Sequence, residues 1–390
     1  MSEVVIIGVG QTPVGEHWDQ SLRSMAVEAI QAARKDAGGV RPQAMYIGNM
    51  LASTLSHQAN LGALLSDHAG LNGIEATTVE AAGASGGAAA RMGYLAVASG
   101  YVDVALVLGI EKWTDQIGSA TEAALAQMLD SDYEAVHGMT PTSQAALLMQ
   151  RYLHEFHAPR EAYACFPLVA HANGVGNPNA MYRKAIRPEA YQKAEMISDP
   201  LNLFDAAPIA DGAAALILTR SDLMTAGNTR GIPHNLPHGL VRVTGSSVVT
   251  DTLALHDRPD PLAFYAAAYS IERACRQAGI MPKDADFFEL HDAYSIYAAL
   301  SLEAAGLATR GQGWRMAESG QMPFATMGGH KARGNPIGAA GIYQMVEAVL
   351  QLRGEAGSCQ IPNVRRGLVQ SLGGPASTAV THVLEAVSAG

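Results

Sequence analysis

Thiols are nearly absent from this chain of 390 residues: it holds three cysteines, Cys165, Cys275 and Cys359, widely separated and without paired spacing. That spacing excludes a disulfide framework and a zinc site of the Cys-x-x-Cys kind. Each cysteine reads instead as a small, inert, partly buried side chain. Cationic charge is also in deficit, since 26 Lys and Arg face 36 Asp and Glu for a formal net charge of −10. Phosphate-backbone binding requires clustered cations, so nucleic acid is excluded as a partner. Long apolar runs are missing too. Asp103 breaks the most apolar stretch, residues 96–110, well short of the roughly 18 residues a membrane span needs. The opening Met-Ser-Glu-Val-Val-Ile-Ile carries no basic leader and reads as an immediate first strand, so the expectation is a cytoplasmic protein with no membrane span. The Met139, Met149, His154 and His157 region lacks ligand spacing, so no metal is expected and amphipathic packing is the default.

What is present is a large apolar fraction, 48%, together with 40 glycines set in Ala- and Ser-rich company. Enough apolar material exists for a sizeable core in two structural units. Tight strand–helix junctions and close helix packing demand such glycines. Short apolar strands at 4–9, 76–80 and 102–108 alternate with helical patterns at 22–37 and 88–98, which predicts an α/β fold with helices covering a sheet. A second start follows at 239–245, with a helix over 262–278, a strand over 285–290 and a helix from Tyr294. The two series predict a duplicated architecture, residues 1–240 and 241–390, with a looser covering insertion over about 112–199. Each half then has an elbow where a strand turns into a helix, at Gly83 and at His291, and helix N-termini favour negative charge.

Four blocks carry a resemblance across the whole chain. They are Val-Glu-Ala-Ala-Gly-Ala-Ser-Gly-Gly at 79–87, His-Asp-Ala-Tyr at 291–294, Gly-Asn-Pro at 334–336 and Ser-Leu-Gly-Gly at 371–374. Supporting marks lie at 251–257 and 351–357. In this order they resemble the thiolase superfamily, in particular the archaeal and sterol-carrier-protein-type thiolases. The resemblance implies a five-layered α-β-α-β-α fold of two duplicated halves. It also places the departures: the acyl-accepting cysteine is Gly83, a cysteine common in the second block is Ala293, the histidine of Gly-His-Pro is Asn335, and the second thiol is Ser371.

Thiolytic cleavage needs a thiolate, a base and an acyl-enzyme, so ordinary thiolase turnover is not expected. Electrostatic stabilisation of an oxyanion needs donors, not a nucleophile. By resemblance, one oxyanion hole uses backbone N–H groups of Gly83 and Gly373, and the other uses His291 and Asn335, whose amide can donate to an enolate oxygen. The implied activity is aldol or retro-aldol cleavage of an acyl-CoA without a covalent intermediate, coenzyme A entering only as part of the substrate. The alternative is a catalytically silent acyl-CoA-binding or scaffolding subunit, or one subunit of an acyltransferase whose partner bears the cysteine. Candidate bases are His291, His330 and Tyr294, with Tyr343 more distant; after Gly328-Gly329, His330 reads first as a solvated loop residue. Ser85 and Ser371 read as orienting ligand oxygens or as local caps, and Ser247 and His256 as contacts of the coenzyme A pocket. The resemblance implies a homodimer through the Gly83 elbow, packed on small residues at 84–90, and a zinc-ribbon and OB-fold (DUF35-type) partner protein.

Overall fold

A computed structural model describes residues 3–225 and 231–387. Strand β1 (Val4–Gln11) is followed by α1 (Leu22–Asp36), which starts where the Ser21 side chain accepts from the Ser24 N–H and ends with Arg34 and Lys35 in its last turn. Both ends complement the helix dipole and its unpaired groups. Next come β2 (Ala44–Gly48), the short helices α2 (Ala52–Leu55) and α3 (Leu61–His68), β3 (Glu75–Val79), α4 (Ser85–Ala98) and β4 (Val104–Glu111). Residues 112–211 then leave the sheet as α5 (Ser119–Leu125), α6 (Pro141–Phe156), α7 (Cys165–Gly174), α8 (Pro188–Gln192) and a hairpin of β5 (Met196–Ser198) and β6 (Leu201–Asn202). Strand β7 (Gly212–Arg220) returns antiparallel to β4, with Gly212 opposite Glu111. The excursion therefore runs to Asp211 and takes in the strap 206–209.

The remaining elements are β8 (Val241–Thr250), α9 (Tyr265–Ala278), β9 (Phe287–Glu289), α10 (Ser295–Ala304), α11 (Gly313–Ser319), α12 (Ala340–Arg353), β10 (Arg366–Gly373) and β11 (Thr378–Ala386). The nine-stranded sheet has the order β3-β2-β4-β7-β1-β8-β11-β10-β9. Its halves join antiparallel at β1 and β8, with Val5 opposite Arg242. Outward from that join each half repeats one pattern: an antiparallel neighbour, a second antiparallel pairing, then a parallel one. Phe324 makes a single parallel bridge to Phe288 where the first half has β3.

Three apolar clusters fill the spaces between layers. Helices α1 and α3 cover the outer face of the first half through Met25, Leu65, Leu106 and Ile217. Helices α4 and α12 lie centrally, Val97 and Val346 sharing a cluster with Val107 of one half and Val369 of the other. On the outer face of the second half, α9 and α10 bury Ile271 and Ile296 with Phe288 and Leu368, extended by Tyr152 and Phe166 of the covering region. The layers are therefore α-β-α-β-α. The two central helices meet backbone to backbone, since a Cβ on Gly341 would stand 2.5 Å from the Gly87 nitrogen. Only glycine permits that approach.

Candidate active site

The first elbow is a strained turn held by its own neighbours. Ala82 sits at φ +50°, a region costly for a residue with a Cβ. The Ser85 hydroxyl secures it, donating to the Ala82 carbonyl at 2.6 Å and accepting from the Ala81 N–H at 2.9 Å. The turn delivers Gly83 against the end of β10: an ideal Cβ there would lie 2.6 Å from the Leu372 carbonyl oxygen and 3.2 Å from His291 Cε1. On the other side, Gly373 leaves no room for a Cβ either, because the Ala81 carbonyl is 2.6 Å from that position.

The second elbow follows β9. The Ala207 N–H donates to the Ala293 carbonyl at 2.8 Å, tying the strap to the elbow, and the Tyr294 hydroxyl pairs with the Thr142 hydroxyl at 2.9 Å. Burial pushes the Tyr294 phenol up to about 12, so it stays protonated. The Asn335 N–H donates to the Pro208 carbonyl at 3.0 Å, while its side-chain Oδ1 is buried with no partner among the described residues. Gly83, His291, Ala293, Tyr294, Asn335 and Leu372 together line a pocket of about 100 Å³, with Thr142 and Glu122 from the covering region.

His291 is buried, and its Nδ1 has no partner among the described residues. Burial and the adjacent His330 hold its pKa well below the usual imidazole range, so the ring is neutral. His330 is not the solvated loop residue expected from its flanking glycines. It is wholly buried, its ring 4.3 Å from that of His291 between centroids. Its Nδ1 and its backbone N–H both donate to Asp292 Oδ1 at 2.7 Å. The tight turn Gly329–Arg333 makes this possible, for a Cβ on Gly329 would stand 2.5 Å from Asp292 Oδ2. Hydrogen bonds and charge from His330 hold the Asp292 carboxyl down to about 2 despite burial. Asp292 is therefore an anion buried against His330, and it does not itself line the pocket.

A wider cleft of about 1220 Å³ adjoins this pocket at Ala206 and Ala207, which line both. Lys184, Arg187, Lys193 and Lys331 face it, with Phe204 and Tyr182 as apolar wall. The Lys331 ammonium donates to the Asp205 carbonyl at 2.8 Å, and burial brings its pKa down to about 8. The arrangement is a cationic, partly apolar channel that ends at a small, mostly apolar pocket holding a few polar groups. An anionic ligand with a long arm fits that shape.

The family model described as "Thiolase, N-terminal domain" matches residues 4–222, and the one described as "Thiolase C-terminal domain-like" matches residues 247–386. The chain belongs to the thiolase superfamily. Among its thiolase relatives, the acetyl-CoA acetyltransferase of Methanothermobacter thermautotrophicus is 40% identical, over 98% of this chain and 99% of that protein. The benzoylsuccinyl-CoA thiolase subunit BbsB of Thauera aromatica is 30% identical over 93% and 92% of the two chains. The solved structure of an "Ltp2-ChsH2(DUF35) aldolase" superimposes with a TM-score of 0.82 over 98% of each chain at 22% identity, which is a likeness of thiolase fold. The expected five-layered fold is thus the observed one, and the protein is a thiolase-like member of a family acting on acyl-CoA.

Several other sequence candidates lie elsewhere in the thiolase frame. Ser85 is spent on the elbow itself rather than on a ligand. Ser371 lies within β10 and turns toward the central helices, where its Oγ is 2.2 Å from the place a Gly87 Cβ would occupy. Ser247 is buried in β8 opposite Thr381 of β11, and His256 is exposed beside Asp257 and the Tyr133 ring. Neither Ser247 nor His256 lines the pocket or the cleft. Tyr343 is fully buried and donates to the Thr12 carbonyl at 2.9 Å. Sequence reasoning passed over Thr142, Glu122, Asp292 and the cations of the cleft. Asp292 alone had a visible signal, since it stands inside the His-Asp-Ala-Tyr block.

The three thiols are also remote. Burial pushes Cys165 up to about 12 and Cys275 up to about 11, raises Cys359, and none of them lines the pocket. Thiolate is the reactive form. Alkylation with iodoacetamide under native conditions is therefore expected to leave any acyl-CoA turnover intact; a loss that tracks labelling of one cysteine would show that a thiol is needed.

Proposed function

We propose that this protein makes and breaks a carbon–carbon bond of an acyl-CoA by aldol chemistry, without an acyl-enzyme. The observation that carries the reading is the composition of the reaction pocket: Gly83, neutral His291, Ala293, Tyr294 and Asn335 line it, and no thiol among the described residues does. In the retro-aldol direction the β-hydroxyl loses its proton to a base and becomes a carbonyl. The Cα–Cβ bond breaks, its electron pair passes into the thioester as an enolate, and the enolate is reprotonated at Cα. Asn335 has an amide donor for that enolate oxygen, and the Gly83 and Gly373 backbone serves as a second donor set. In this reading the protonated Tyr294 hydroxyl hydrogen-bonds the departing carbonyl oxygen. The cationic cleft takes the phosphates of coenzyme A, leading its arm past Ala206 and Ala207.

The likeness of fold to a DUF35-containing aldolase agrees with this reading and points to a DUF35 protein as partner. We further propose a homodimer through β3, which ends the sheet with most of its side chains exposed. The test is incubation of the purified protein with β-hydroxyacyl-CoA thioesters, alone and with a DUF35 protein encoded beside it. A shorter acyl-CoA and an aldehyde or ketone are expected. Intact substrate in both cases, with coenzyme A still bound, would make the protein a silent acyl-CoA-binding subunit instead.

A further inference from the structure

We infer that Lys331 is a site of self-acylation: its amine takes the acyl group of an acyl-CoA held in the cleft, forming an amide and releasing coenzyme A. The inference rests on the reading of the cleft as the coenzyme A channel and is independent of the aldol step.

The amine stands where the arm of the ligand gives way to its reacting end. Lys331 lines the cleft, and its Nζ is 2.8 Å from the carbonyl oxygen of Asp205. The next residue, Ala206, lines both the cleft and the reaction pocket. An arm that enters past Lys184 and Lys193 and ends in the pocket therefore carries its thioester past that nitrogen. Two acceptors fix the nitrogen, the Asp205 carbonyl and, at 3.3 Å, the Phe204 carbonyl. They are its only hydrogen-bond partners among the described residues. A neutral amine has two N–H groups and one lone pair, so with both N–H groups given to the strap, the lone pair is left for the cleft. Lys112, also buried, is held in the opposite way: Asp211 pairs with it at 2.9 Å, and its pKa is raised.

The surroundings supply the neutral form that the reaction needs. Burial brings the Lys331 pKa down to about 8 against the pull of Asp292, Asp205 and Cys165. The Asp205 carboxylate is occupied by the Tyr191 hydroxyl and the Asn202 N–H, each at 3.0 Å, and Asp292 by His330. His171, Lys184, Arg187, Glu189 and Lys193 complete the ionisable lining of the cleft. At pH 7.5 the neutral fraction of Lys331 is about a hundredfold larger than that of an ordinary exposed lysine. In the step itself the Nζ lone pair adds to the thioester carbonyl carbon, and the C–S bond breaks with its electron pair passing to sulfur. The proton shed by nitrogen neutralises the thiolate, so the products are an acyl-lysine and free coenzyme A. The amide nitrogen keeps one N–H for two strap carbonyls, and its acyl group occupies the cleft. The modified protein thereby closes its own channel to coenzyme A.

The test incubates the full-length protein with acetyl-CoA, which has no β-hydroxyl for retro-aldol cleavage to act on, and maps the acetylated peptides by mass spectrometry across a range of pH. Lys184 and Lys193 are the internal controls, since they line the same cleft but are exposed. Lys331 is expected to acetylate at least about tenfold faster than either at pH 7.5, and its rate should level off above about pH 9 while theirs still climb. Excess desulfo-CoA should slow the Lys331 reaction at least about tenfold, and the acetylated protein should bind coenzyme A about tenfold more weakly. Lys331→Arg, checked for folding by thermal melt, should lose the fast adduct and no other. Equal labelling of the three lysines, or a Lys331 rate that desulfo-CoA does not slow, would overturn the inference. Calorimetry with desulfo-CoA separates the two readings. Binding without a Lys331 adduct sinks this inference alone, whereas no binding sinks the coenzyme A reading of the cleft along with it.

Discussion

Gly83→Cys is expected to yield no thiolytic activity and a less stable protein. The new Cβ would stand 2.6 Å from the Leu372 carbonyl oxygen and 3.2 Å from His291 Cε1, so the elbow or the end of β10 must move. Overpacking of this kind typically costs about 1–3 kcal/mol. Neither neighbour is a flexible chain end: one is backbone, and the other is a buried ring packed on His330. The sulfur would also enter a pocket of only about 100 Å³. There it would take up part of that small volume. It would find no activation, because His291 is held far below the basicity needed to keep a thiolate as its partner, and Asn335 cannot take a proton. A denaturant midpoint and a thiolysis assay with an acetoacetyl thioester check both parts. An acyl adduct at position 83 with turnover would show that only the thiol had been missing.

Arg333→Ala should have the largest effect on stability. Arg333 and Glu347 are both wholly buried and paired at 2.7 Å, with the guanidinium also 5.3 Å over the Tyr343 ring. Removing one partner of such a pair leaves a buried charge unmatched and costs about 3–5 kcal/mol. Burial already raises the Glu347 carboxyl, and without its cation it would take up a proton near neutrality. The consequence reaches the site, because Arg333 ends the turn that carries His330 and precedes Asn335. Activity should fall along with the unfolding free energy. Replacing both partners, as Arg333→Met with Glu347→Leu, should recover much of the stability, since an apolar pair has no charge to desolvate. Equal losses in the single and double variants would show that the cost comes from lost packing volume and not from the orphaned charge.

Much of the fold is legible in the chain because it is written in local periodicity. The strands at the start of each half, the two elbows and the helices after them fall within a few residues of where apolar spacing and glycines set them. The side-chain roles are less legible. Ser371 and Leu372 are adjacent in β10, and alternation sends them to opposite faces of the strand, so only the register with β11 and the helices above shows that Ser371 turns away from Gly83. His330 defeats a local reading for a different reason. Two glycines ahead of it suggest an open loop, yet their left-handed backbone, φ +110° at Gly328 and +53° at Gly329, folds the turn inward onto Asp292. The cleft is invisible in the chain because Lys184, Arg187 and Lys193 of the covering region face it together with Lys331, which follows almost 140 residues after the last of them.

By itself, the sequence determined the duplicated α/β order and the presence of glycine at residue 83 and asparagine at residue 335, because residue identities are facts of composition at a position. The tertiary structure alone decided that His291, His330 and Asp292 form one buried cluster. Asp292 and His330 are 38 residues apart, and whether a histidine is solvated or paired to a carboxylate depends on which groups the fold packs around it, not on its neighbours in the chain.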